Sequence, residues 1–234
     1  GLMLVLNAQT GFVDTILLDN GYLTAIRTAA AGAVAAKYLA PPDASAAAII
    51  GAGKQARLQL QALLLVRKIQ SATVWARDHI AAKDFVRQMH KKTGIPISIS
   101  PDIKTAVHDA DIVVTTTSSR TPIIQADWIS PGTHVTSMGA DAPGKTELDP
   151  HILAQVDHYI CDSSQQCRVL GELEGALRVG ILDQEFKPKE LGDIITGKYQ
   201  FERRDSDITV CDLTGLGIQD VEIALLTHRL CSNQ

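Results

Sequence analysis

Three observations predict an α/β chain built on a doubly wound parallel sheet. Between Pro42 and Leu213, short apolar runs rich in β-branched residues alternate with helix-patterned segments. Those runs are apolar along their length, as strands covered on both faces require. The first of them, Ala46-Ala47-Ala48-Ile49-Ile50, leads straight into the turn Gly51-Ala52-Gly53-Lys54-Gln55-Ala56 and then a helical segment.

The elements follow in order. Residues 2–6 and 13–18 read as strands joined by Asn7-Ala8-Gln9-Thr10-Gly11, whose Thr-Gly pair signals a hairpin. Asp19-Asn20-Gly21 makes a turn. An alanine-rich helix is expected over 23–39, with Thr24 as its cap and a small face (Ala29, Gly32, Ala33, Ala36) suited to close packing. Pro41-Pro42-Asp43 ends it and marks a domain junction. Strands are then expected at 46–50, 72–76, 97–99 and 112–116, with helices at 54–66, 80–90 and 103–108 between and after them. Further strands fall at 134–138, 158–161 and 208–213, and a closing helix at 221–230. The chain opens directly on a strand without a leading loop or cap, so a preceding segment is expected. Residues 1–40 therefore read as a unit apart from the sheet domain at 41–213, with 214–234 as a C-terminal helical segment.

Bulk properties exclude several functions. Lys and Arg number 22 against 26 Asp and Glu, for a net charge of −4, and no basic block is present, so no nucleic-acid partner is expected. No apolar run is long enough to span a bilayer and no signal-peptide pattern opens the chain, so no membrane partner is expected. Cys161, Cys167, Cys211 and Cys231 form no Cys-x-x-Cys pair and no zinc-like spacing with histidine, which suggests reduced thiols in a cytoplasmic protein. No Gly-x-Ser-x-Gly turn or histidine constellation supports a hydrolase or a metal site.

The glycine turn carries the clearest chemistry. Gly51 permits a tight bend, Gly53 lets backbone N–H groups approach a pyrophosphate, and Ala56 is small enough for the helix to pack on the strand. Lys54 and Gln55 open that helix, whose N-terminus favours an anion. A Rossmann-like dinucleotide site results, with ligands beyond the carboxyl ends of the strands. At the end of the second sheet strand Ala76 stands where NAD-preferring sites often hold an acid. The following Arg77 either suits the extra phosphate of NADP, which favours NADP(H) within NAD(P), or is a solvated loop residue. Asp78 either binds the ribose or caps the next helix. Thr115, Thr116 and Thr117, with Ser118 and Ser119, offer hydroxyls to phosphate or ribose, or form a polar turn. Met138 ends a strand and Gly139 turns the chain at the sheet's carboxyl edge, where both are expected to meet the cofactor near its nicotinamide, presenting Asp141 either as a proton-transfer group or as a turn residue before Pro143. Arg27, alone in an apolar helix, is a carboxylate clamp or an exposed helix residue. Thr214 and Gly215 belong to a glycine turn that is either a second approach to the cofactor or an ordinary bend.

Four segments together resemble the ornithine cyclodeaminase/μ-crystallin family: Tyr22-Leu23-Thr24-Ala25-Ile26-Arg27-Thr28-Ala29-Ala30-Ala31, Ile50 to Ala56, Gly139-Ala140-Asp141-Ala142-Pro143-Gly144-Lys145-Thr146-Glu147-Leu148, and Gly215-Leu216-Gly217-Ile218-Gln219-Asp220. The run Leu18 to Thr24 is further similar to an ectoine-utilisation, cyclodeaminase-like branch. The resemblance implies a dinucleotide domain plus a substrate and dimerisation domain, and a homodimer for the full-length protein. It implies an NAD(P)-dependent enzyme acting on a small α-amino or α-imino acid, by redox-neutral cyclodeamination or by net imine reduction. On that pattern Arg27 binds the substrate carboxylate, Thr28 lies against the cofactor, Asp141 is the acid/base, and Thr214 and Gly215 line the nicotinamide side. The family's catalytic lysine and a second arginine belong to a part that this sequence does not match, so no residue takes those roles. The alternatives are a non-catalytic NADP- or small-ligand-binding protein of the μ-crystallin type, or an inactive fragment.

Overall fold

The computed structural model describes residues 1–232. The chain opens on an antiparallel hairpin, β1 (Met3–Leu6) and β2 (Val13–Leu17), which forms a sheet of its own. Its strands carry exposed Leu4, Leu6, Val13 and Ile16, while Val5 is buried. Helix α1 (Tyr22–Leu39) follows. Its cap is not Thr24: Gly21, at φ 78°, precedes the helix, and Asp19 Oδ2 accepts from the N–H of Leu23 at 2.7 Å. Thr24 lies one turn inside and donates its hydroxyl to Asp220.

Eight parallel strands make the main sheet: β3 (Ala46–Ile50), β4 (Ser71–Trp75), β5 (Ile97–Ile99), β6 (Ile112–Thr115), β7 (His134–Ser137), β8 (His158–Cys161), β9 (Lys189–Glu190) and β10 (Thr209–Asp212). Their spatial order is β5-β4-β3-β6-β7-β10-β8-β9. The chain therefore winds outward from β3 to one edge, then returns to β6 and winds the other way. The crevice beyond the carboxyl ends of β3 and β6 is the switch point where such sheets hold ligands.

Helices cover both faces. They are α2 (Lys54–Leu63), α3 (His79–Thr93), α4 (Ile103–His108), α5 (Pro150–Gln155), α6 (Ser164–Cys167), α7 (Gly171–Arg178), α8 (Leu191–Ile195) and the closing α9 (Gly217–Ser232). Helix α3 shows why these residues stop and start where they do. Asp78 Oδ1 accepts from the N–H groups of Ile80 and Ala81, basic residues fill the last turn, and Gly94 at φ 77° ends it. The small face of α1 packs on α2 as its composition suggests. A Cβ at Gly32 would lie 2.1 Å from Gln59 Oε1, and the Gln59 amide donates to the Thr28 carbonyl at 3.0 Å. Short helices α5 to α8 were not evident from the sequence. Each is too brief to show a helical period, and α5 and α6 depend on local caps from Asp149 and Ser163.

The core lies in two layers, one per sheet face. Ile49, Leu60, Val74, Phe85 and Ile112 fill one, and Ile50, Val113, Val135, Leu173 and Val210 the other. Helix α9 packs back on α1 and β1. Residues 233 and 234, the last of the expected C-terminal segment, lie outside the described residues. Among the described residues no helix is long and apolar enough to cross a membrane. Cys161, Cys167 and Cys211 are buried and Cys231 is exposed, all as free thiols.

Candidate active site

The parallel strands bring the loops at their carboxyl ends to one rim. On the first side, Gly51 takes φ 120°, and its N–H donates to the Trp75 carbonyl at 2.8 Å. A Cβ there would meet Thr116 Oγ1 at 2.6 Å, so the turn needs glycine for both conformation and space. Gly53 differs, since a Cβ on it would meet nothing within 4 Å. It is the N-cap of α2, which has no side-chain cap. An uncapped helix N-terminus facing open space offers its N–H groups and dipole to an anion. Arg57 reaches back from α2 to the carbonyls of Ala52 and Gly53 and holds the turn from beneath.

A cleft of about 310 Å3 adjoins this turn, lined by Gly51, Ala52, Trp75, Ala76, Arg77, Thr116, Thr117, Ser118, Ser119 and Ile123. No carboxylate lines it. Arg77 is exposed at its edge, while Asp78 is spent as the α3 cap. Thr116 and Thr117 line the cleft; Thr115 does not. Thr115 is fully buried and donates to Glu147 Oε2 at 2.5 Å, because the hydroxyl points into the sheet edge instead of out of it. Lys54 is exposed at the start of α2 and Ala56 is buried beneath it. The Gln55 side chain turns to the Ala25 carbonyl at 3.1 Å, leaving only its backbone for the rim.

On the second side, β10 ends in Thr214 and Gly215. Asp162 Oδ2 accepts from both backbone N–H groups, at 2.9 and 2.7 Å, and Oδ1 accepts from the Thr214 hydroxyl. The Gln166 amide donates to Thr214 Oγ1 and the Gly215 carbonyl. This pinned turn separates Arg27 from Asp141. A Cβ at Gly215 would lie 2.7 Å from Arg27 Nη1, while Asp141 shares a depression of about 610 Å3 with Thr214, Gly215 and Gln166. Asp141 is half exposed and 2.6 Å from Lys145 Nζ. The Met138 side chain packs with Ala35, Leu39 and Leu213 rather than facing the rim. The Gly139 N–H is taken by Glu147 Oε2 at 2.7 Å. Thr28 donates back to the Thr24 carbonyl at 2.8 Å and lines neither space.

Beneath the rim lie carboxylates that sequence reasoning passed over. Glu147, Glu172 and Asp212 are all buried. Burial pushes each up to about 7, and the neighbouring Asp212 charge adds to the effect on Glu172. Hydrogen bonds hold them: Ser137 and Thr146 donate to Glu172, and Tyr159 with the N–H groups of Glu172 and Leu173 donates to Asp212 Oδ2. The signal in the sequence was a hydroxyl at the end of adjacent strands, Thr115 and Ser137, each needing an acceptor. Among the described residues no group of His, Cys, Asp and Glu could hold a metal ion.

The model of the ornithine cyclodeaminase/mu-crystallin family matches residues 1–233. The chain belongs to that family. Relatives within it include an uncharacterised cyclodeaminase of Sinorhizobium fredii, 52% identical over 98% of this chain and 69% of its own length. The solved structure of Thermococcus litoralis Δ1-pyrroline-2-carboxylate reductase with NADH and L-proline superposes with a TM-score of 0.93 at 32% identity, covering 97% of this chain and 70% of that one. An archaeal alanine dehydrogenase dimer with bound NAD gives 0.92 at 37% identity, covering 100% of this chain and 72% of that one. The family fold thus extends over the hairpin, the sheet and α9.

Proposed function

We propose that the chain is an NAD(P)-dependent enzyme of α-amino or α-imino acids, working by imine reduction or by cyclodeamination. One observation carries this reading: the Thr214–Gly215 turn has a guanidinium on one side and a carboxylate on the other, on the same rim as the glycine turn. The molecules bound in the related structures, NADH and L-proline in the reductase and NAD in the dehydrogenase, support it.

The open space over Gly53 and the uncapped α2 suit a pyrophosphate. Gly51, Gly53 and the N–H groups of Lys54, Gln55 and Ala56 would hold it, with Thr116, Thr117 and Arg77 toward the adenosine half. Bound there, the nicotinamide supplies the hydride donor or acceptor. Arg27 orients the substrate through its carboxylate, and Asp141 exchanges a proton with the amine, imine or water. Arg77, and the lack of a carboxylate in the cleft, favour NADP(H).

The division into 1–40, 41–213 and 214–234 belongs to this proposal. It is supported by the separate hairpin sheet and by the return of α9 to β1. The exposed apolar residues of the hairpin, with Val221 and Leu225 on α9, support a homodimer, and the free buried thiols support a cytoplasmic setting.

The test mixes the protein with NADPH and a panel of cyclic and acyclic imino acids, and in parallel with NAD+ and ornithine or diaminobutyrate. Stoichiometric loss of NADPH absorbance supports the reductase, and ammonia release without net absorbance change supports the cyclodeaminase. Nucleotide binding with neither outcome would replace the enzyme reading with a binding protein.

A further inference from the structure

The ladder between β6 and β7 ends at the pair Thr115 and Ser137. Beyond it the two chains part. The segment after β6 lines the cleft beside the glycine turn, and the segment after β7 carries Asp141. Further out the Thr146 N–H donates to the Ser119 carbonyl at 3.0 Å and the Arg120 guanidinium reaches the Pro143 carbonyl, and next to the strand ends one buried side chain bridges the two segments. Glu147 Oε1 accepts from the Thr117 N–H at 2.6 Å, and Oε2 accepts from the Gly139 N–H at 2.7 Å and the Thr115 hydroxyl at 2.5 Å. The carboxylate is 0% exposed and forms no ion pair among the described residues.

Its own position is fixed from behind. The Glu147 N–H donates to Glu172 Oε1 at 2.9 Å, and its carbonyl accepts from Ile123 and Ile124. At Gly139 the segments touch: a Cβ there would lie 2.2 Å from the Thr117 carbonyl and 2.4 Å from Glu147 Oε2. A buried carboxylate without a cation is costly. What it gains here is the satisfaction of two backbone N–H groups on different loops. Those donors cannot reverse, so the bridge needs a group that accepts at both oxygens. An amide would turn its NH2 toward one of them.

We propose that Glu147 is a positioning residue that couples the loop after β6 to the Asp141-bearing loop after β7, so that nucleotide held by the first orders the second. The coupling half of this rests on the nucleotide reading above; the bridge itself does not.

Amide hydrogen exchange by NMR tests both halves on wild type, Glu147→Gln and Glu147→Asp. Without ligand, the Thr117 and Gly139 amides should exchange at least about tenfold faster in Glu147→Gln, while Val113 and Val135 within the strands stay protected. Glu147→Asp keeps the charge on a side chain one methylene shorter, and should free one loop while holding the other. With NADPH, wild type should gain protection over both 116–119 and 140–145, and Glu147→Gln over 116–119 alone. Wild-type exchange at Thr117 and Gly139 in Glu147→Gln would overturn the bridge. So would acceleration spread equally to Val113 and Val135, which marks an ordinary core residue. Protection of 140–145 by NADPH in both proteins would overturn the coupling. A wild type that shows no response to NADPH anywhere rejects the nucleotide reading and with it the coupling, while the ligand-free comparison still decides the bridge.

Discussion

Arg27 donates through Nε to Asp220 Oδ1 at 3.1 Å, tying the first long helix of the chain to the last. Asp220 also accepts from the Thr24 hydroxyl, and Gln219 holds Arg27 Nη1 at 3.1 Å. The guanidinium is only 15% exposed and is aimed by both neighbours, and Nη2 has no hydrogen bond among the described residues. Asp220→Ala should therefore raise KM for the amino or imino acid by about tenfold, with a smaller change in kcat and about 1–2 kcal/mol of lost stability. Steady-state kinetics and a urea titration check this. An unchanged KM would remove Arg27 from the role of carboxylate clamp.

Gly51→Ala should be damaging at a site with no bulk to spare. Its φ of 120° is strained for any L side chain, and the new methyl would meet Thr116 Oγ1 at 2.6 Å. A cost of about 1–3 kcal/mol is expected, with NADPH affinity falling further than stability accounts for. Gly53→Ala is the control, since open space lies above it and its φ of −79° suits alanine. Fluorescence titration should show weaker NADPH binding there with little change in the urea midpoint.

The pH dependence of stability follows from the buried acids. Glu147 and Glu172 are raised from 4.5, and Asp212 from 3.8, each to about 7. Between those limits the folded chain keeps protons that the unfolded chain has released, so stability falls as pH rises through this window. His134 has the opposite slope. Burial pushes it from 6.5 down to about 3, so only the unfolded chain takes up its proton and stability falls as pH drops below 6.5. With three carboxyls against one imidazole, the urea midpoint should be higher at pH 5.5 than at pH 8. Asp212→Asn gives the sharper measurement. Its carbonyl can take the Oδ2 position and keep the bonds from Tyr159, Glu172 and Leu173, while its NH2 replaces Oδ1, which has no partner. The variant should gain on the order of 1–3 kcal/mol at pH 8 and show a flatter pH profile. A loss of stability at pH 8 would contradict this account.

Arg77→Glu should weaken NADPH binding by about tenfold or more and leave NADH nearly unchanged, because the new carboxylate repels a 2′-phosphate and can accept from a 2′-hydroxyl. Parallel titrations with the two nucleotides decide it. Equal losses would remove the reason for favouring NADP.

Arg27, Asp141 and Gly215 stood apart from ordinary helix and turn residues only through the family resemblance, while the sheet and the glycine turn were legible because each rests on local chemistry: apolar runs and glycine at a bend. The supporting acids were not. Glu147 and Glu172 look like surface residues until folding brings Thr117, Gly139, Ser137 and Thr146 around them. Thr115 was misread for the same reason, since a hydroxyl at a strand end has two directions to face and only the partner across the sheet decides between them. Thr24 looked like a cap because Asp19, three residues before the first helical turn, supplies the acceptor from outside the usual position.

Strand β10, residues 209–212, sits between β7 at 134–137 and β8 at 158–161. A middle slat of the sheet therefore leaves the ribosome after both of its neighbours. Until it emerges, β7 and β8 have bare edges toward one another, and every chain in synthesis passes through that stage. A stop codon between residues 190 and 209 would leave two half-sheets with bare rims facing one another. Such products should be found in inclusion bodies or in the hands of chaperones.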